Sequence, residues 1–119
     1  MSKVMQLSVF AENRPGKIDK ITEILARQRI SILAISISSS ENFGVIKLLV
    51  DNVGRAYRVL KENGFTVSKN EVLAIELEDR PGGLNEVVKV LAHHCINVEN
   101  AHVYVVESRK KSYLLVEVK

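Results

Sequence analysis

The chain has 119 residues, 46% of them apolar and 26% charged, with a net charge of +3 and an isoelectric point near 9.1. That balance excludes a disordered chain, contains no apolar run of the roughly 18 residues a membrane span needs, and is too mildly basic to imply nucleic acid by itself. The single cysteine, Cys95, excludes an internal disulfide; with an N-terminus that lacks the apolar block of a signal peptide, it predicts a cytoplasmic protein.

Residues 5–11 alternate, with Met5, Leu7, Val9 and Ala11 on one face, which predicts a half-buried strand. Arg14-Pro15-Gly16 ends it. Pro15 suits the first turn of a helix, where its missing N–H costs nothing, and Asn13 can cap the free amides. Ile18, Ile21, Ile24 and Leu25 then recur at helical spacing, as far as about Arg29. A strand from Ile30 to Ser38 places Leu33, Ile35 and Ile37 on one side and Ala34, Ser36 and Ser38 on the other. Residues 40–44 read as a turn, and 45–50 as a third strand with Ile46, Leu48 and Val50 inward. From about Asn52, the residues Val53, Ala56, Tyr57 and Leu60 mark a second helix, which Asn63-Gly64 stops. Phe65 to Val67 opens a fourth strand and completes a βαββαβ order.

From about Asn70 the plan starts again without a linker. Glu12-Asn13-Arg14-Pro15-Gly16 recurs 66 positions later as Glu78-Asp79-Arg80-Pro81-Gly82, and over 12–32 against 78–98 seven of 21 positions are identical. A period this long does not suit a solenoid and predicts two small domains on one plan, 1–69 and 70–119. Leu73, Ile75 and Leu77 repeat the first strand; Leu84, Val87, Val88 and Leu91 repeat the helix face. Ala101, Val103 and Val105 match Ile35, Ile37 and the next inward site, and a longer turn around 108–111 leads to a strand over 113–118. Asp51 aligns with Lys119, so the second copy is expected to be βαββ only. One helix does not cover a sheet face meant for two. Leu114, Val116 and Val118 are therefore expected to face solvent, the strand 73–77 to keep a free edge, and the chain to assemble as a homodimer or larger.

The strand–Asn/Asp-Arg-Pro-Gly–helix pattern, followed by a branched aliphatic, Ser or Asn, and another branched aliphatic (Ile30-Ser31-Ile32, then Ile96-Asn97-Val98), resembles the ACT domains. The resemblance covers nearly the whole chain and looks like the stand-alone tandem ACT proteins. It implies an α+β fold: two ferredoxin-like βαββαβ repeats, an antiparallel sheet with helices on one face, the second repeat truncated. It further implies regulatory binding of a small molecule, usually an amino acid, where two ACT units meet, and a regulated metabolic enzyme as a possible partner. A turn feeding a helix N-terminus suits a carboxylate, and Asn or Ser on a facing strand can bond an ammonium or carboxylate. Carried over residue by residue, the expected ligand site comprises Asn13, Arg14, Pro15, Gly16 and Ser31, and Asp79, Arg80, Pro81, Gly82 and Asn97. Asn13 is neutral where Asp79 is anionic, and Ser31 is shorter than Asn97, so the two sites are expected to be unequal, or only one to work.

Local chemistry explains Arg-Pro-Gly equally well without a ligand, since proline and glycine suit a turn and a helix start. His93, His94, Cys95 and His102 do not have metal spacing: consecutive residues at a helix end cannot all face one ion. Only six residues are aromatic, no strand carries the Lys/Arg-Gly-Phe/Tyr pattern of RNA-binding modules, and Arg109-Lys110-Lys111 reads as a solvated hairpin tip. No phosphate loop, nucleophile elbow or His-Glu-x-x-His appears. The expectation is a non-enzymatic amino-acid sensor needing no cofactor, metal, nucleic acid or membrane. The alternatives are a ligand-free interaction module and a metal-responsive regulator.

Overall fold

The computed structural model describes residues 2–12, 14–106 and 111–118. In chain order it contains β1 (Ser2–Glu12), α1 (Lys17–Arg27), β2 (Ile32–Ser40), β3 (Phe43–Val50), α2 (Val53–Glu62), β4 (Thr66–Glu78), α3 (Gly83–His93), β5 (Val98–Val106) and β6 (Lys111–Val118). The fold is α+β with antiparallel pairing, in the order βαββαβ followed by αββ. One feature departs from the sequence reading. The strand expected to close the first copy and the strand expected to open the second are one element, the 13-residue β4. Residues 66–78 contain no glycine or proline, so nothing breaks the extended chain between the two.

The chain divides into one unit of residues 5–70 and another of residues 1–4 with 71–119. In the first, the strand order is β2-β3-β1-β4. Leu7 pairs with Leu48 and Val9 with Ile46, which fixes one apolar face. Ile21 and Leu25 of α1 and Ala56 and Leu60 of α2 complete a core with Leu7, Val9, Leu48, Val50 and Val67. Each such leucine, isoleucine or valine side chain removed from water contributes about 1.5–3 kcal/mol. Ile35 and Ile37 oppose Leu48 and Ile46 and so share this face. They are nevertheless 43% and 53% exposed, and Leu33 is 52% exposed. β2 is the edge strand, so the row has the right side of the sheet but no cover.

In the second unit the order is β1-β4-β6-β5, with β1 represented by its first residues. The strand 73–77 therefore has neighbours on both sides, and the free edge expected there falls on β5 instead. The expected exposure of Leu114 and Val116 is also corrected. They are 3% and 0% exposed, packed with Leu73, Ile75, Leu77 and Val87. β6 lies between β4 and β5, so its apolar row is flanked on both sides and α3 suffices to cover it. Val118, 39% exposed, meets the expectation; Ala101 and Val103, matched to inward sites, are exposed on the edge strand. Tyr104 stacks on Tyr113 at 5.6 Å, and burial, then its neighbour's charge, raises its phenol pKa. Val105 has no described side chain, and the tip 107–110 lies outside the described residues.

All three helices end alike. The amides of Ile30, Phe65 and Ile96 donate to the carbonyls of Leu25, Leu60 and Leu91 at 3.0, 3.1 and 2.9 Å. This six-to-one closure needs a left-handed residue just before the donor. Gly64 supplies it at φ 87°, but Arg29 and Cys95 adopt it at φ 56° and 57°. A side chain there costs about 1–2 kcal/mol, of which glycine's larger unfolded-state entropy returns part. Arg29→Gly is therefore expected to raise stability by about 0.5–1 kcal/mol in urea unfolding, with an unchanged m-value.

Candidate functional site

The first Arg-Pro-Gly motif is a turn in front of the helix, not its first turn. The Lys17 amide donates to the Arg14 carbonyl at 3.3 Å, and Gly16 sits at φ 90°, ψ −12°. Proline second and a left-handed glycine third is the pattern of a type II turn, in which only glycine is comfortable at the third position. Gly16 then caps α1 through its carbonyl, which accepts from Lys20 at 3.0 Å, with no side-chain cap. The capping expected of Asn13 falls on a residue outside the described ones. Asn52 does cap α2, its side chain accepting from the Arg55 amide at 3.2 Å.

The second motif repeats this geometry. Gly83 donates to the Arg80 carbonyl at 3.0 Å, and Gly82 lies at φ 87°, ψ −11°. In both copies the arginine amide also donates two residues back, to Glu12 or Glu78, at 2.9 Å. The turns differ in what surrounds them. A Cβ on Gly83 would lie 2.2 Å from the Glu78 carbonyl oxygen. Position 17, its counterpart, is lysine and carries that Cβ, so the first turn cannot close so tightly on its own strand.

The arginines differ as well. Arg80 bridges two carboxylates, Nε to Glu78 at 2.6 Å and Nη2 to Glu86 at 2.5 Å, and donates Nη1 to the Pro81 carbonyl at 3.3 Å. The bond to Glu78, then that to Glu86, raises its pKa further above its ordinary value. Arg14 has one described ion pair, to Glu12 at 2.9 Å.

A cleft of about 410 Å³ opens against the first turn, lined by Arg14, Pro15, Gly16, Lys17 and Ile18, with Ala11, Glu12, Ile37, Ser39, Gly44 and Ile46 around it. Three of the expected site residues, Arg14, Pro15 and Gly16, are brought together there. Ser31 is not among the lining residues: its amide donates to Asp51 Oδ1 at 3.0 Å and its carbonyl accepts from Asp51 at 3.1 Å. Arg80, Pro81 and Gly82 form the second turn with Asp79 just before it, and Asn97 is exposed just before β5. Glu12, Ile37 and Ser39 were missed by the sequence reading. Ile37 was visible as part of the alternating row, and Ser39 only became relevant once β2 ran on to Ser40.

The cleft combines a carboxylate, two cationic side chains, a hydroxyl and an aliphatic floor. In the first turn of α1, neither Ile18 nor Asp19 can find a carbonyl four residues back within the helix, so their amides point outward at the turn. Such an arrangement can hold a small zwitterion: carboxylate toward the amides and Lys17 or Arg14, ammonium toward Glu12, apolar part on Ile18, Ile37 and Ile46. The histidines take other roles. His94 Nδ1 lies 2.9 Å from the Val90 carbonyl, His93 meets His94 edge to face, and no cluster of three metal-ligating side chains occurs among the described residues. No helix among the described residues is long and apolar enough to cross a membrane.

A family model described as an ACT domain pair matches residues 2–116. Among solved structures, protein BT0572 from Bacteroides thetaiotaomicron is similar at 28% identity and TM-score 0.89, over 98% of this chain and 80% of that one. The regulatory subunit of aspartate kinase from Thermus thermophilus, in a ligand-free form, is similar in fold at 15% identity and TM-score 0.68, over 98% and 87%. No curated protein sequence matches the chain.

Proposed function

Because this chain belongs to the ACT domain pair family, whose modules are regulatory rather than catalytic, we propose that it is a non-enzymatic sensor of amino-acid metabolism. It binds an amino acid or similar small zwitterion in the cleft at the first Arg-Pro-Gly turn and regulates a metabolic enzyme by contact. The observation that carries this reading is the asymmetry of the two turns. The first leaves a lined cleft in which Arg14 has one described carboxylate partner; the second packs onto Glu78, and Arg80 is committed to two. The first site is the stronger. Ser31, Asp79 to Gly82 and Asn97 belong to this proposal as residues that meet ligand where a second chain docks. Exposed Leu33, Ile35 and Ile37 on the edge strand β2 support a homodimer.

The test is a thermal-shift screen of the twenty amino acids with light scattering on the same sample. A ligand bound only by the native state adds about 2.7 kcal/mol at 100 times its dissociation constant. The expected result is a rise in Tm with one or a few amino acids, weakened in Arg14→Ala and Ser39→Ala, on a particle of twice 13.3 kDa. A second reading, an interaction module without ligand, draws on the same aliphatic row together with exposed Leu84, Val88 and Val103. A flat screen with an intact dimer would favour it.

A further inference from the structure

A second cleft, of about 490 Å³, lies where β1 ends and β3 and β4 begin, within residues 10–66. The chain has three phenylalanines, and all three line it: Phe10, Phe43 and Phe65. Phe43 is 60% exposed and Phe10 is 37% exposed. Lys17 and Lys20, one helical turn apart on α1, stand at the same cleft, with Lys20 Nζ 5.9 Å from the centre of the Phe65 ring. Neither lysine forms an ion pair among the described residues, whereas the Glu12 carboxylate that also lines the cleft is already paired with Arg14.

The second copy provides an internal control. At the positions matching Phe10, Lys17 and Lys20 it carries Glu76, Gly83 and Glu86, on the same strand–turn–helix frame. The frame therefore folds without rings or ammonium groups there, and their convergence in the first copy is not a demand of the fold. Exposed apolar side chains gathered at one groove mark a binding surface, and aromatic rings there favour stacked or edge-to-face partners. A cleft of this size is within the range of small-molecule sites. One ammonium group near the Phe65 ring and a second one helical turn away complement a ligand with a planar ring and an anionic end, the anion meeting Lys17 and Lys20 in charge-assisted hydrogen bonds.

We propose that this cleft is a second small-molecule site that takes a planar aromatic anion, an aromatic carboxylate or a nucleoside phosphate, with its ring against Phe10, Phe43 and Phe65 and its charge on Lys17 and Lys20. This cleft borders the amino-acid cleft proposed above and shares Ala11, Glu12 and Lys17 with it, but Phe10, Phe43, Phe65 and Lys20 line this one and not the other, so the proposal stands whether or not that reading does.

The experiment is amide chemical-shift mapping of the ¹⁵N-labelled full chain with 3-phenylpropionate, AMP, 3-phenylpropanol and propionate. Shifts at Phe43, Gly64, Phe65 and Lys20 with 3-phenylpropionate or AMP, and not with the neutral or the non-aromatic probe, are expected; whichever binds identifies the carboxylate or the phosphate as the source. Phe43→Ala and Lys20→Glu change exposed side chains and leave the core intact, and each is expected to weaken binding at least tenfold. Raised salt should weaken it too. Shifts confined to Ile37 and Ser39 would assign the probes to the first cleft and overturn the proposal. So would equal response to all four probes, or unchanged affinity in both variants.

Discussion

Leu60→Ala is expected to lower the unfolding free energy by about 3–4 kcal/mol, the cost of a buried leucine truncated in a packed core. Leu60 is 0% exposed and packs in the cluster that joins α2 to Leu7, Leu48 and Val67. Its backbone carbonyl accepts from Phe65 and closes the helix, but that bond survives the substitution, so the loss comes from the apolar burial removed and the cavity left behind. Urea unfolding checks it, and Val59→Ala, on the same helix at 8% exposure, should cost less because it removes fewer atoms. A loss below about 1 kcal/mol at Leu60 would show that this core is loosely packed.

Gly83→Ala should be almost as damaging, for a different reason. The added methyl meets a backbone carbonyl at 2.2 Å, which no rotamer can relieve. Either the second Arg-Pro-Gly turn opens or α3 moves outward, and overpacking of this kind costs about 1–3 kcal/mol. Lys17→Ala, at the matching position, already has its Cβ accommodated and is expected to change stability by less than about 0.5 kcal/mol. The comparison measures how differently two turns of nearly one sequence are held. Equal effects would remove the asymmetry on which the choice of the first turn as the working site rests. Gly16→Val and Gly82→Val are poor probes of ligand access, because positive φ strains any branched side chain before a ligand is involved.

Much of the fold was legible because its signals are periodic. The two Glu-x-Arg-Pro-Gly runs, the alternation of Leu7, Val9 and Ala11, and the spacing of Val53, Ala56 and Leu60 report their elements directly. Asn52 and Gly64 mark the ends of α2 as their chemistry suggests. Other features were hidden. Arg29 and Cys95 adopt a glycine conformation under the pull of the Leu25 and Leu91 carbonyls, and nothing in their side chains announces it. Alternation placed Ile35 and Ile37 on the correct face but carried no information about how far the helices reach across it. The burial of Leu114 and Val116 depended on strand order, which single-strand patterns do not contain. At the site, Arg14, Pro15 and Gly16 were readable as a motif; Glu12 and Ser39 became neighbours of that motif only through the pairing of β1, β2 and β3.

The shared strand separates the unit of duplication from the unit of folding. The sequence repeats from β1 to β4, and what the two copies share is βαββ, three strands with no partner on the outer side of the first. The first βαββαβ exists only because the strand that opens the second copy also closes the first. A gene encoding one copy would give a chain whose β1 lacks a neighbour and whose core lacks Val67. Loss of either copy takes a neighbour from the first strand of the other and exposes an edge there. In that sense the pair, rather than the single motif, is the smallest heritable piece that leaves β1 with a partner on each side.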